Sequence, residues 1–406
     1  VVLLYPGVEK WEKKARKSQL AALSSQAETA LNQMESWYHC IRNSSQAKVI
    51  CTNFPERTDA VFGHYSNKVE GSLSYQLRKY NLGLMDLGQK HSDFFVLDLN
   101  IIQSRMGRSQ FFPAGFHVNA DLNISLEAIP QVAMECAQLM AAVRGKFKKC
   151  LILDLDNTTW GGVIGDDGLE HIQIGSLGIG KAFTELQLWA KQLKERGIIL
   201  AVCSKNTESV AKEPFEKHPD MVLRLEDIAV FVANWENKAD NIRHIQSVLN
   251  IGFDSMVFLD DNPFERNLVR QELPDVEVPE LPEDPALYLS YLESFNYFET
   301  ASFSETDKDR TQMYQVEAER KKVESKFTDV KDYLKNLEMT SVVEGFTPFN
   351  SPRVAQLTQR SNQFNLRTIR YTEDEIKAIE ADEKRYGLSF TLEDRFGDNG
   401  LIAVII

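Results

Sequence analysis

The stretch C150-L-I-L-D-L-D-N-T-T-W-G-G-V-I-G-D-D-G168 runs an apolar strand directly into two aspartates, Asp154 and Asp156. In an extended chain, residues two apart share a face, so Ile152, Asp154 and Asp156 lie on one side and Leu151, Leu153 and Leu155 on the other. Two carboxylates on one face of a buried strand repel each other and lose hydration unless a cation stands between them. A strand that ends this way reads as the floor of a site for a metal ion.

The surrounding sequence from Lys148 onward has the regular alternation of a βαβ protein. Strand cores CLILDLD, IILAVCS and SMVFLDD are separated by helix-like KAFTELQLWAKQLKERG and NKADNIRHIQSVLN. Short buried strands joined by helices call for a parallel, doubly wound α/β sheet, whose ligand site lies beyond the carboxyl ends of the strands. All three strands end there in polar residues, and those residues complement one another chemically. Asp154 is placed to attack phosphorus, and Asp156 to protonate a leaving oxygen and then deprotonate water. Ser204, with the backbone amides that follow it, offers a cradle for phosphoryl oxygens. Lys238 supplies a cation for the nucleophile and the phosphate, and Asp260 and Asp261 add the oxygen ligands that a hard magnesium ion requires.

The five strings LDLDNTTWGGVIGDDG, LAVCSKN, FLDDNPFERN, QLTQRSNQFNLRT and DRFGDNGLIAV, in that order, resemble the haloacid dehalogenase (HAD) superfamily of phosphatases and its FkbH-like branch, over residues 148 to 406. The resemblance implies an Mg2+-dependent phosphatase or phosphotransferase working through an aspartyl-phosphate. It makes Asp154 the nucleophile and a metal ligand, and Asp156 the general acid/base and a further ligand through its backbone carbonyl. Thr158 supports the loop, Ser204, Lys205 and Asn206 contact the phosphate, Lys238 bridges, and Asp260 and Asp261 complete the metal site. The substrates implied are phosphorylated small acids, sugars or carrier-linked units, with an acyl-carrier protein or a polysaccharide intermediate as partner. The alternatives are a transferase that loads a three-carbon unit onto a carrier-protein thiol and a non-catalytic scaffold.

The family also implies a three-part organisation. Residues 1–147 are expected to form an SGNH-hydrolase-like α/β domain, degenerate or incomplete, since no GDS block or terminal DxxH pair is present. Residues 148–300 form the Rossmann-like HAD domain, and 301–406 a linker helix and a partial, α+β acetyltransferase-like (GNAT-like) domain, cut off in mid-strand at Ile406. The segment 306–338 reads as a long charged helix, and Asn399-Gly400 as the turn of a hairpin. The intervals from Asp156 to Ser204 and from Ser204 to Lys238 leave no room for a separate cap domain. Only the glycine-rich flap WGGVIGDDGLEHIQI, read as a hairpin, covers the site.

Composition narrows the partners. With 43% hydrophobic and 26% charged residues the chain is globular, and a net charge of −13 disfavours nucleic acid or an anionic membrane. No apolar run approaches the roughly 20 residues of a membrane span. The five cysteines lack CxxC spacing and fit a reducing cytoplasm. Cys203 reads as buried packing, with an acyl-accepting thiol as the alternative. Trp160 reads as an anchor for the flap or a cover for substrate, and Asp166 and Asp167 as substrate contacts or turn formers. Arg360, Asn362 and Gln363 read as a ligand contact or a capped helix. The seven histidines show no metal-ligand spacing, and His117 reads as structural.

Overall fold

The computed structural model describes the chain apart from residues 59–60, 121, 123, 304–313, 315, 317–319, 321–322, 324–328, 361–364, 366 and 383. The chain divides into two compact units, residues 1–146 with 299–301, and residues 147–298 with 302–406.

The first unit is built on a parallel sheet in the order β1-β2-β3, from Val2–Leu4 (β1), Val49–Thr52 (β2) and Phe94–Leu97 (β3). Ahead of β2 the chain forms Glu9–Lys17 (α1), a 3-10 turn and Gln26–Ser44 (α2), with breaks at Ser18 and Ser25. Leu73–Lys90 (α3) packs beside α2, and Met34, Leu77, Tyr80 and Leu84 are buried with Val49, Cys51 and Phe94 of the sheet.

In the second unit a four-stranded parallel sheet has the order β6-β5-β4-β7. It comprises Cys150–Leu153 (β4), Ile199–Ser204 (β5), Ile228–Ala233 (β6) and Met256–Leu259 (β7). Helices cover both faces. Leu151, Leu153 and Leu155 pack towards Phe183, Leu186 and Ala190 of Gly180–Glu195 (α4), while Cys150 and Ile152 pack towards Ile242 and Ile245 of Lys238–Leu249 (α5). Full burial on both faces explains why every β4 residue is apolar until the strand emerges at Asp154.

The structure differs from the sequence reading in three places. The strand β6, which leads the chain towards Lys238, is a short apolar run that periodicity alone does not separate from a helical segment. The flap is not a hairpin. A single antiparallel bridge, Gly161 to Gln173, closes it, and between them lies one helical turn, Ile164–Asp167 (residues the Asp167 carboxylate caps by accepting the Val163 amide at 2.7 Å). Asn399-Gly400 is not the hairpin turn either. Leu388–Asp394 (β8) and Gly397–Ile405 (β9) turn through Arg395-Phe396, and Gly400, at φ +63°, sits at a register shift inside β9.

The last part of this unit adds Thr340–Gly345, which pairs antiparallel with β8, and helices Ser351–Arg360 and Glu373–Glu380 around Phe346, Val354 and Ile376. Most of the expected long helix at 306–338, and residues 361–364 with Asn362 and Gln363, lie outside the described residues, as does the Arg360 side chain. Among the described residues no helix is long and apolar enough to cross a membrane.

A buried amide ties the flap to the sheet's helical layer. Gln187 of α4 donates to the Thr159 carbonyl at 2.8 Å and accepts from the Val222 and Leu223 amides at 3.0 and 3.2 Å. Gln187→Leu orphans three buried backbone groups, and is expected to destabilise the protein by about 2–4 kcal/mol, read as a lower urea midpoint. An unchanged midpoint would show that water replaces the amide at no cost.

Candidate active site at the carboxyl ends of the strands

Asp154 is the first residue past β4, and its amide still bonds the Leu259 carbonyl of β7 at 2.9 Å, so its position is set by the sheet. The chain then folds back tightly. The Thr158, Thr159 and Trp160 amides all point at the Leu155 carbonyl, and the Thr159 hydroxyl donates to the Asp154 carbonyl at 2.6 Å. Asn157 adopts φ +53°, a left-handed conformation that asparagine tolerates, and its side chain accepts the Gly162 amide at 2.9 Å.

Lys238 opens α5 and is 2% exposed. Its ammonium lies 2.8 Å from Asp154 Oδ2 and 2.5 Å from Asp260 Oδ2. Burial opposes the lysine's charge, but Asp154 and Asp260 outweigh it and raise its pKa. Asp260 is fully buried, and its second oxygen accepts the Asn262 amide at 2.8 Å. Burial and then repulsion from Asp154 push the Asp260 carboxyl up to about 7, against the pull of Lys238.

Asp261 exchanges bonds with Thr158. Its amide donates to the Thr158 hydroxyl at 3.0 Å, and its Oδ1 lies 3.4 Å from that hydroxyl. Burial and Asp154 raise the Asp261 pKa as well. One carboxylate oxygen from each of Asp154, Asp260 and Asp261 falls within 4.8 Å of the others. One lysine faces three crowded carboxylates, a donor set of hard oxygens that a divalent cation would relieve.

Asp156 is held by the flap and by the loop after β5. Its Oδ1 accepts from the Trp160 indole and the Ile164 amide, each at 3.0 Å, and its Oδ2 from the Asn206 amide at 3.0 Å. Burial raises its pKa, with the Ile164 and Trp160 bonds opposing. Ser204 closes β5 and is 1% exposed, so it and Asn206 converge on the same strand ends. Lys205 turns aside and pairs with Glu265 at 2.5 Å.

Three supporting residues were not singled out in the sequence. The Arg266 guanidinium donates to the Asp260 and Asp261 carbonyls at 2.8 and 2.6 Å and fixes that turn from beneath. Glu265 holds Lys205, and the Tyr288 hydroxyl reaches the Asn157 carbonyl at 3.3 Å. Only the string FERN following the acidic pair hinted at the first two. Trp160 is fully buried and anchors the flap while orienting Asp156. Asp167 shapes its turn. Cys203 is fully buried, with its thiol against the Lys238 carbonyl, and burial pushes its pKa up.

A parallel α/β sheet with this arrangement at its carboxyl edge defines a HAD-type phosphatase. Residues 1–141 match the family model described as FkbH, N-terminal domain. Among solved structures, the N-terminal part of the protein BF1531 from Bacteroides fragilis, containing a phosphatase domain complexed with Mg, is 53% identical. It matches over 74% of this chain and 79% of that one at a TM-score of 0.71. The chain therefore belongs to the FkbH-like family of HAD phosphatases. A HAD superfamily (subfamily III A) hydrolase from Legionella pneumophila matches at 17% identity and a TM-score of 0.26, over 47% of this chain and 98% of that one, too loosely to bear on the site. No curated protein matches the chain.

Removing the lysine tests the electrostatic account apart from catalysis. Lys238→Met leaves Asp154 and Asp260 buried without a cation, and is expected to cost about 3–5 kcal/mol in metal-free buffer. The measurement is the urea midpoint of wild type and variant, and equal midpoints would refute the account.

Proposed function

We propose that the protein is an Mg2+-dependent phosphatase acting through an aspartyl-phosphate on a phosphorylated small acid, sugar or carrier-linked unit. The observation that carries this reading is the Lys238 ammonium held between Asp154 and Asp260, with Asp261 alongside, at the carboxyl edge of β4.

In this reading Asp154, Asp260 and Asp261, with the Asp156 backbone carbonyl, hold the magnesium ion. When bound, it neutralises carboxylate and phosphoryl charge together. Asp154 attacks phosphorus, the phosphorus–oxygen ester bond breaks, and the leaving oxygen takes its proton from Asp156. Asp156, now a carboxylate, removes a proton from water, which attacks the aspartyl-phosphate and releases inorganic phosphate. The raised pKa of Asp156 suits it to carry the first proton, and its three hydrogen bonds fix its direction. Ser204 and Asn206 bind phosphoryl oxygens, Thr158 steadies Asp261, and Lys238 offsets charge in both states. Lys205, engaged by Glu265, borders the phosphate pocket.

Of the acidic pair, Asp261 has the more open carboxylate, because both Asp260 oxygens already accept protein donors. Between β4 and α4 the flap contains one short helical turn and no cap domain, which supports an open site for a large substrate. Trp235, exposed on the loop after β6, and Phe264, exposed in the first turn of the helix Pro263–Glu272 that follows β7, offer apolar surface at that edge.

Release of phosphate from phosphorylated three-carbon acids, sugars and a generic phosphate ester, with and without Mg2+, tests the reading. Asp154→Asn is expected to abolish turnover, and Asp156→Asn to lower kcat by about a hundredfold to ten-thousandfold. Turnover that persists in Asp154→Asn would end the proposal. Asp261→Asn is expected to raise the Mg2+ concentration needed for half-maximal rate at an unchanged urea midpoint, whereas Asp260→Asn also lowers stability by about 1–3 kcal/mol, read as a lower midpoint, because Lys238 loses a partner. Identical behaviour of the two would show that the pair is not divided in this way.

A further inference from the structure

Away from the strand ends, the first unit gathers two histidines and a glutamate that no ligand spacing in the sequence announces. Glu35 and His39 stand one turn apart on α2, and His91 immediately follows α3. Glu35 Oε1 lies 4.0 Å from His39 Nε2 and 3.8 Å from His91 Nε2, and the three ligand atoms fall within 4.8 Å of one another.

The pieces differ in rigidity in a useful way. His91 is held in place, since its ring lies 4.3 Å from that of Tyr38, and the Tyr38 hydroxyl donates to Asp93 at 2.5 Å, which Arg42 also grips at 2.7 Å. Its Nε2 is buried, faces Glu35, and has no hydrogen-bond partner among the described residues. His39 is more than half exposed, with its ring 5.7 Å from that of His91. Two imidazoles and a carboxylate with one water form a recognised open four-coordinate set for zinc, whose bonds near 2.0–2.2 Å place ligand atoms about 3.3 Å apart. The ligand atoms stand farther apart than that, up to 4.8 Å, so His39 and Glu35 would draw in towards His91 on binding.

We propose that Glu35, His39 and His91 bind a borderline divalent transition ion, zinc foremost, and that this ion clips α2 to the end of α3. Imidazole ligation distinguishes the site from the all-oxygen cluster at Asp154, which suits magnesium. Lys90 is the built-in competitor, because its ammonium pairs with the same Glu35 oxygen.

The test titrates Zn2+ into the chelator-treated full chain against a chromophoric chelator, with Mg2+ in excess to occupy the carboxylate cluster. The expected result is one equivalent of Zn2+ bound by wild type and by Asp154→Asn, with a higher melting temperature on binding. His39→Ala, at an exposed position that leaves the fold intact, and His91→Gln are each expected to weaken binding at least about tenfold, and Lys90→Met to tighten it. Co2+ substituted for Zn2+ is expected to give the visible absorption of a four-coordinate nitrogen-ligated ion. Absence of stoichiometric binding by wild type, binding unaffected by either histidine substitution, or binding lost in Asp154→Asn would overturn the proposal and leave an ion-pair cluster only.

Discussion

One buried ammonium governs the second unit. Lys238 is shared between Asp154 and Asp260, and its charge offsets the repulsion of two carboxylates held close together inside the protein. Their repulsion and lost hydration are tolerable only with the lysine between them, so the ion triad demands that β4, β7 and the start of α5 hold one register. The parallel ladder supplies it, pairing β4 with β7 from Cys150–Met256 to Leu153–Leu259. The same crowding adds the Asp261 carboxylate to those of Asp154 and Asp260, a set of hard oxygens at the strand ends.

Around the triad, polar groups are fixed by backbone more than by one another. Arg266 clamps the carbonyls of Asp260 and Asp261, Thr158 locks to the Asp261 amide, and Thr159 caps the Asp154 carbonyl. Each tie restricts a main-chain segment that carries a carboxylate, so the side chains are oriented before any ligand arrives. That is the property electrostatic catalysis requires. Trp160 joins packing to chemistry, since the residue that fills the core under the flap also directs Asp156.

Much of this was legible along the chain because the candidate site's side chains mostly sit at strand ends, and strand ends are marked by an abrupt change from apolar to polar residues. Asp154, Asp156, Ser204, Asp260 and Asp261 announce themselves in that way, and Lys238 is found by its place at the start of the helix after the next strand. Residues that act from a helix or through backbone contacts carry no such mark. Arg266 looks like any basic residue on an amphipathic helix, and nothing along the chain marks Glu265 as the partner of Lys205. The edge strand β6 and the bulge at Gly400 were missed because short apolar runs and Asn-Gly pairs each serve more than one local geometry.

The sequence by itself determined the alternation of strand and helix, the doubly wound sheet and the identity of the acidic and basic groups at its edge, because periodicity and strand-end chemistry are local properties. Only the tertiary structure decided which of those groups touch. The order β6-β5-β4-β7 is a property of the whole sheet, and so is the sharing of Lys238 between Asp154 and Asp260. The meeting of Glu35, His39 and His91 likewise depends on how α2 packs beside α3, for residues 52 positions apart along the chain have no local signal that they will meet.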